Sequence, residues 1–94
     1  MLVLVTLSYR VPLAEVDVHT PAHRAYLKTL FDAKKLIASG PFVPREGGAL
    51  LLRVESEDEV KAIIAADPFS VNGIADYLVR VWSPTFGADA LASL

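Results

Sequence analysis

Cysteine is absent from the 94 residues, which excludes disulfides and thiolate chemistry and makes a reducing cytoplasm the expected location. Positive charge is also scarce. Nine Lys+Arg stand against eleven Asp+Glu, a formal net charge of −2, with no basic run and no dense basic face, so no nucleic-acid partner is expected. No apolar run approaches the roughly 20 residues needed to cross a bilayer, so no membrane partner is expected either. The apolar start, Leu2 to Leu7, lacks a basic segment before it and meets Ser8, Tyr9 and Arg10 too soon for a signal peptide. Histidine occurs only twice. His19 and His23 are four residues apart, a spacing that can chelate a metal on a helix, but no third ligand accompanies them. Neither a metal nor a cofactor is expected.

Apolar residues, by contrast, are abundant. Counted with Gly and without Tyr they number 52 of 94, about 55% against roughly 45–50% for ordinary soluble domains. Ninety-four residues make one small domain, 1–94, with residues 83–94 as a C-terminal tail. A domain of that size has much surface to cover, so the surplus suggests burial against another chain.

Leu2 to Tyr9 reads as a strand that is apolar on both faces at its start. Arg10 to His19 reads as a loop. Thr20 then offers an N-cap hydroxyl and Pro21 a favoured first helical position, so a helix is expected from Pro21 to about Lys35. Leu27, Leu30, Phe31 and the stem of Lys34 form its apolar face, with Arg24, Lys28 and Asp32 opposite. A second strand spans Leu36 to Gly40. The turn Arg45-Glu46-Gly47-Gly48 leads into a third strand, Ala49 to Val54. Ser56-Glu57-Asp58-Glu59 is a capping box that opens a second helix, burying Val60, Ile63 and Ile64. Asp67-Pro68 restarts a short helical turn, Gly73 stops it, and Ala75 to Trp82 is the last strand.

The order β-α-β-β-α-β defines an α+β, ferredoxin-like arrangement with an antiparallel sheet. Its two helices cover one sheet face only. A second copy of the same sheet is the simplest cover for the other, which predicts a homodimer in the manner of a dimeric α+β barrel.

Few residues are equipped for chemistry: His19, His23, Asp67, Ser39, Tyr9, Tyr77 and several arginines. Placed third in its helix, His23 would sit near the positive end of the dipole, which favours the neutral, proton-accepting imidazole. Taken one at a time, each residue has an ordinary explanation: a solvent histidine, an N-cap aspartate, a glycine at a strand end.

In combination, Thr20-Pro21-Ala22-His23, Leu36 to Phe42, Ala66-Asp67-Pro68-Phe69 and Val71-Asn72-Gly73-Ile74 resemble the YciI-related (YCII) domain family over nearly the whole chain. The resemblance implies a dimeric ferredoxin-like barrel with an active site built on a His–Asp pair, here His23 and Asp67. Family members commonly carry Arg before the Pro-x-His, where this chain has Thr20. That removes any anion contact the arginine would make and improves the helix cap. The family includes a chlorinated-hydroquinone dehydrochlorinase, although most members have no assigned reaction.

The implied chemistry is cofactor-free proton transfer in an apolar pocket, of lyase or isomerase type, on a small organic ligand. Asp67 orients His23 as the base. Ser39 or the Gly40 N–H holds a developing oxyanion. Phe42, Phe69 and Trp82 offer an apolar wall. The alternative is a non-catalytic small-ligand-binding or accessory dimerisation domain.

Overall fold

The computed structural model describes residues 1–94. Val3, Val5 and Leu7 alternate along β1 (Leu2–Tyr9) and are almost wholly buried, which fixes the face this strand turns to the helices. It pairs antiparallel with β3 (Gly47–Arg53) on one side and with β4 (Ala75–Trp82) on the other. The strand β2 (Leu36–Pro41) pairs antiparallel with β3, giving the order β2-β3-β1-β4. This is the ferredoxin-like α+β topology. Leu50 and Leu52 on β3 join the β1 residues under α1 (Leu13–Asp32), α2 (Glu57–Ala66) and the single turn α3 (Pro68–Val71).

The helix α1 departs from the expectation that it begins at Pro21. It starts at Leu13, so the segment Arg10 to His19 is largely helix and Pro21 lies inside it. The reason is visible in the burial pattern. Val16, His23, Leu27 and Leu30 are buried and Thr20 is half-buried, so positions spaced alternately by four and three residues make one continuous stripe. Eight further residues of helix on that stripe outweigh the hydrogen bond that Pro21 cannot donate to the carbonyl four residues back. The Thr20 hydroxyl does not cap the helix; it donates to the Val16 carbonyl at 2.9 Å. His19 is helical as well.

The same helix ends earlier than expected. Lys34 takes the left-handed conformation (φ 62°), so its stem is not part of the helical stripe. Lys34 N–H donates to Phe31 and Lys35 N–H to Leu30, a Schellman closure achieved without glycine. In α2 the Ser56 hydroxyl accepts from Glu59 N–H at 3.2 Å, while Glu59 accepts in return from Glu55 rather than from Ser56. Gly73, at φ 65°, closes α3 as expected.

Gly47 and Gly48 belong to β3 and not to the preceding turn. A Cβ on Gly47 would lie 1.8 Å from the Leu7 carbonyl oxygen, and one on Gly48 would lie 2.6 Å from that of Gly40. These two glycines let three strands approach beside the site described below. Opposite β3, a bulge between Leu36 and Ala38 shifts the register of β2. Leu36 and Ser39 therefore stand opposite Leu52 and Leu50, all on the helix-facing side.

The C-terminal tail folds into α4 (Ala88–Ala92). Arg53 holds it in place, donating to the carbonyls of Leu91 and Leu94. Phe86 is fully exposed. No helix is long and apolar enough to cross a membrane.

Candidate active site

Asp67 performs two tasks at once. It ends α2 and caps α3, its Oδ1 accepting from Phe69 N–H at 3.0 Å, as expected for aspartate before proline. The same Oδ1 lies 2.7 Å from His23 Nδ1, and Oδ2 accepts from the Tyr77 hydroxyl at 2.8 Å. Only 1% of Asp67 is exposed, so these three donors replace the water its carboxylate has lost. Because both oxygens already act as acceptors, Nδ1 is the donating nitrogen of His23. In the neutral imidazole this assigns the tautomer, with the lone pair on Nε2.

Every buried side-chain nitrogen or oxygen in the chain has a hydrogen-bond partner. His23 Nε2 has none within the protein, so it is accessible, although the residue as a whole is buried. His23 lines a cavity of about 410 Å³ between α1 and the β1-β3-β2 side of the sheet. The ring is held flat against Phe69, with centroids 3.9 Å apart and planes 3° from parallel. Tyr9 meets the same phenylalanine edge-on at 6.1 Å. Phe69 therefore supports the pair twice, through its backbone N–H on Asp67 and its ring on His23.

The position of His23 corrects one expectation about its electrostatics. It lies ten residues inside α1, well beyond the first turn where the helix dipole acts. The positive helix end therefore does not bias this imidazole. What fixes its orientation is the hydrogen bond to Asp67.

The structure places the other expected site residues unequally. Ser39, Gly40 and Phe69 line the cavity with His23. The bulge in β2 is what turns Ser39 towards it. Phe42 does not line the cavity and is 44% exposed. Pleat alternation explains this: Ser39 and Pro41 face the helices, so the next residue continues to the opposite side. Trp82 is also outside the cavity, at the far end of β4 opposite Leu2. No group of three or more His, Asp or Glu residues is arranged to hold a metal.

Three features were not assigned from the sequence. Tyr77 completes the Asp67 network, and its phenol pKa is pushed up by burial first and by the bond to Asp67 second. Tyr26 donates to the Ile63 carbonyl at 2.7 Å, tying α1 to α2, and burial followed by the Asp67 charge raises its pKa. Arg24, Lys28 and Arg45 reach the cavity lining. Arg24 and Lys28 stand one and two turns after Thr20 on α1, so they border the stripe rather than opposing it.

A ferredoxin-like sheet with an aspartate-oriented histidine facing a small cavity defines the class of protein. The chain belongs to the YCII-related domain family, whose model matches residues 1–83. It is similar to the uncharacterized protein YjpA of Bacillus subtilis (strain 168), with 31% identity over 64 residues, 68% of this chain and 75% of that protein. Among solved structures it is similar to the 5-chloro-2-hydroxyhydroquinone dehydrochlorinase TftG of Burkholderia phenoliruptrix AC1100, in complex with 2,5-dihydroxybenzoquinone. That similarity has a TM-score of 0.79 and 28% identity, covering 90% of this chain and 96% of TftG.

Proposed function

We propose that the protein is a cofactor-independent enzyme of lyase or isomerase type, acting on a small cyclic or otherwise delocalised organic substrate. The observation that carries this reading is the 2.7 Å His23–Asp67 contact, with Nε2 unpaired on a residue that lines the cavity. Nε2 takes a proton from an acidic C–H or O–H of the substrate, and the electron pair left behind delocalises into the conjugated system. In an elimination that pair expels a leaving group with its bonding electrons. In an isomerisation the imidazolium returns the proton to a different atom. Asp67 stabilises the imidazolium and holds the ring, while Ser39 Oγ meets the oxygen that gains charge; the Gly40 N–H points into the ladder, where Gly40 pairs with Ala49. The likeness to a dehydrochlorinase supports the same class of step.

The experiment is a turnover and solvent-deuterium exchange screen over hydroxylated quinols, quinones and β-dicarbonyl compounds, 2,5-dihydroxybenzoquinone included. His23→Gln and Asp67→Asn serve as controls; asparagine keeps the α3 cap. Loss of roughly a hundredfold or more in both variants, with folding intact, is the expected result. Activity that survives both substitutions removes the mechanism. A protein that binds these compounds without exchanging any proton is the ligand-binding domain instead.

We also propose that the protein acts as a homodimer joined through the sheet face that no helix covers. Leu4, Leu78 and Trp82 are exposed on that face.

A further inference from the structure

The charge around the cavity is one-sided. The chain as a whole is acidic, yet three of its nine cations, Arg24, Lys28 and Arg45, line the cavity, and none of its eleven acids does. Arg24 and Lys28 approach from α1, and Arg45 approaches from the β2–β3 loop. Two of the three are already paired outside the lining, Arg45 with Asp17 at 2.7 Å and Lys28 with Asp32 at 2.9 Å. Arg24 enters none of the five ion pairs and donates no side-chain hydrogen bond. Arg24 lines the same cavity as His23, and its guanidinium keeps all five donors free for a ligand.

We propose that the ligand is a small organic anion whose carboxylate or enolate oxygens are anchored by Arg24, the lining cation without an acidic partner. Planar oxyanions match a guanidinium two bonds at a time, which fixes orientation as well as charge. The remaining lining, with Leu7, Leu27, Leu36 and Phe69, suits the apolar body of such a molecule. The anchor also has a catalytic consequence, and here the inference rests on the reading of His23 as the base. A fixed cation beside the substrate favours the more negative species formed when the proton leaves.

The test is an NMR titration of the protein with three anions and their neutral amides: benzoate and benzamide, salicylate and salicylamide, acetoacetate and acetoacetamide. Wild type is expected to bind the anions about tenfold or more tightly than the amides, with the largest shifts at His23 and Arg24. Added salt should reduce the preference. Arg24→Gln should bring each pair to within a factor of about two, and Arg24→Lys should recover part of the difference. His23→Gln should keep the preference while abolishing proton exchange. If Arg24→Gln retains the preference, or wild type binds no anion more tightly than its amide, the anchor is wrong whatever His23 does. If His23→Gln still exchanges protons, the base assignment fails and the anchor stands.

Discussion

Asp67 shows how one residue satisfies a structural and a chemical demand together. Aspartate before proline signals a helix cap in the sequence, and it is one; the same Oδ1 bonds His23 across 44 residues of chain. Nothing local encodes the second bond. The Tyr77 hydroxyl, the third donor, yields a prediction. Removing it in Tyr77→Phe leaves Oδ2 of a buried carboxylate short of a partner, at a cost of about 1–3 kcal/mol. The pH dependence follows from the raised phenol pKa. A tyrosine that resists ionisation in the native state stabilises the fold fully below its ordinary value of 10.0, and that contribution is lost as pH rises above it. Urea denaturation between about pH 8 and pH 11 should therefore show a steeper alkaline loss in wild type than in Tyr77→Phe. Equal slopes would mean that the phenol is not held neutral by its surroundings.

At the scale of elements, the strands and the second helix were legible because their signals are short-range. Short runs of β-branched and aromatic residues without Gly or Pro mark β1 and β4, and the serine and glutamate spacing marks the start of α2. Thr20-Pro21 makes a good local start and masks the true beginning of the first helix, whereas the Val16-Thr20-His23-Leu27-Leu30 stripe declares itself only over about four turns. The turn before β3 was misplaced for a related reason. Gly47-Gly48 resembles turn chemistry, but these glycines are required by neighbouring carbonyls from β1 and β2. Gly47→Ala should therefore cost about 3 kcal/mol in urea unfolding. Substitution at Gly73, which faces open space, should cost only the penalty of its positive φ, roughly 1 kcal/mol. Similar costs at the two sites would remove the close-approach argument.

The whole molecule leaves a sheet face to account for. Leu2 stands opposite Trp82, Leu4 opposite Leu51, and Thr6 opposite Leu78, which makes a cross-strand apolar surface on the side away from the helices. Leu78 is 61% exposed. Covering such a surface with its own copy removes apolar area from both chains at about 25 cal/mol per Å². Sedimentation at micromolar concentration should give the mass of two chains, and Leu78→Glu should shift it towards one. A monomeric wild type would overturn the sheet-to-sheet arrangement.

The sequence by itself determined the order of strands and helices, the α2 cap, and, through several short motifs in combination, the pairing of His23 with Asp67. These depend on short runs of strand-forming residues, on the helical period of 3.6 residues, on local capping, or on a pattern shared with a family. Only the tertiary structure decided that Pro21 lies within a helix, that a bulge turns Ser39 inward while Phe42 faces away, and that Tyr77 completes the carboxylate's partners. It alone gathered Arg24, Lys28 and Arg45 around a cavity without an acid. The physical reason is that strand register, bulges and long-range hydrogen bonds are set by which surfaces pack together, and no local window of the chain contains both partners.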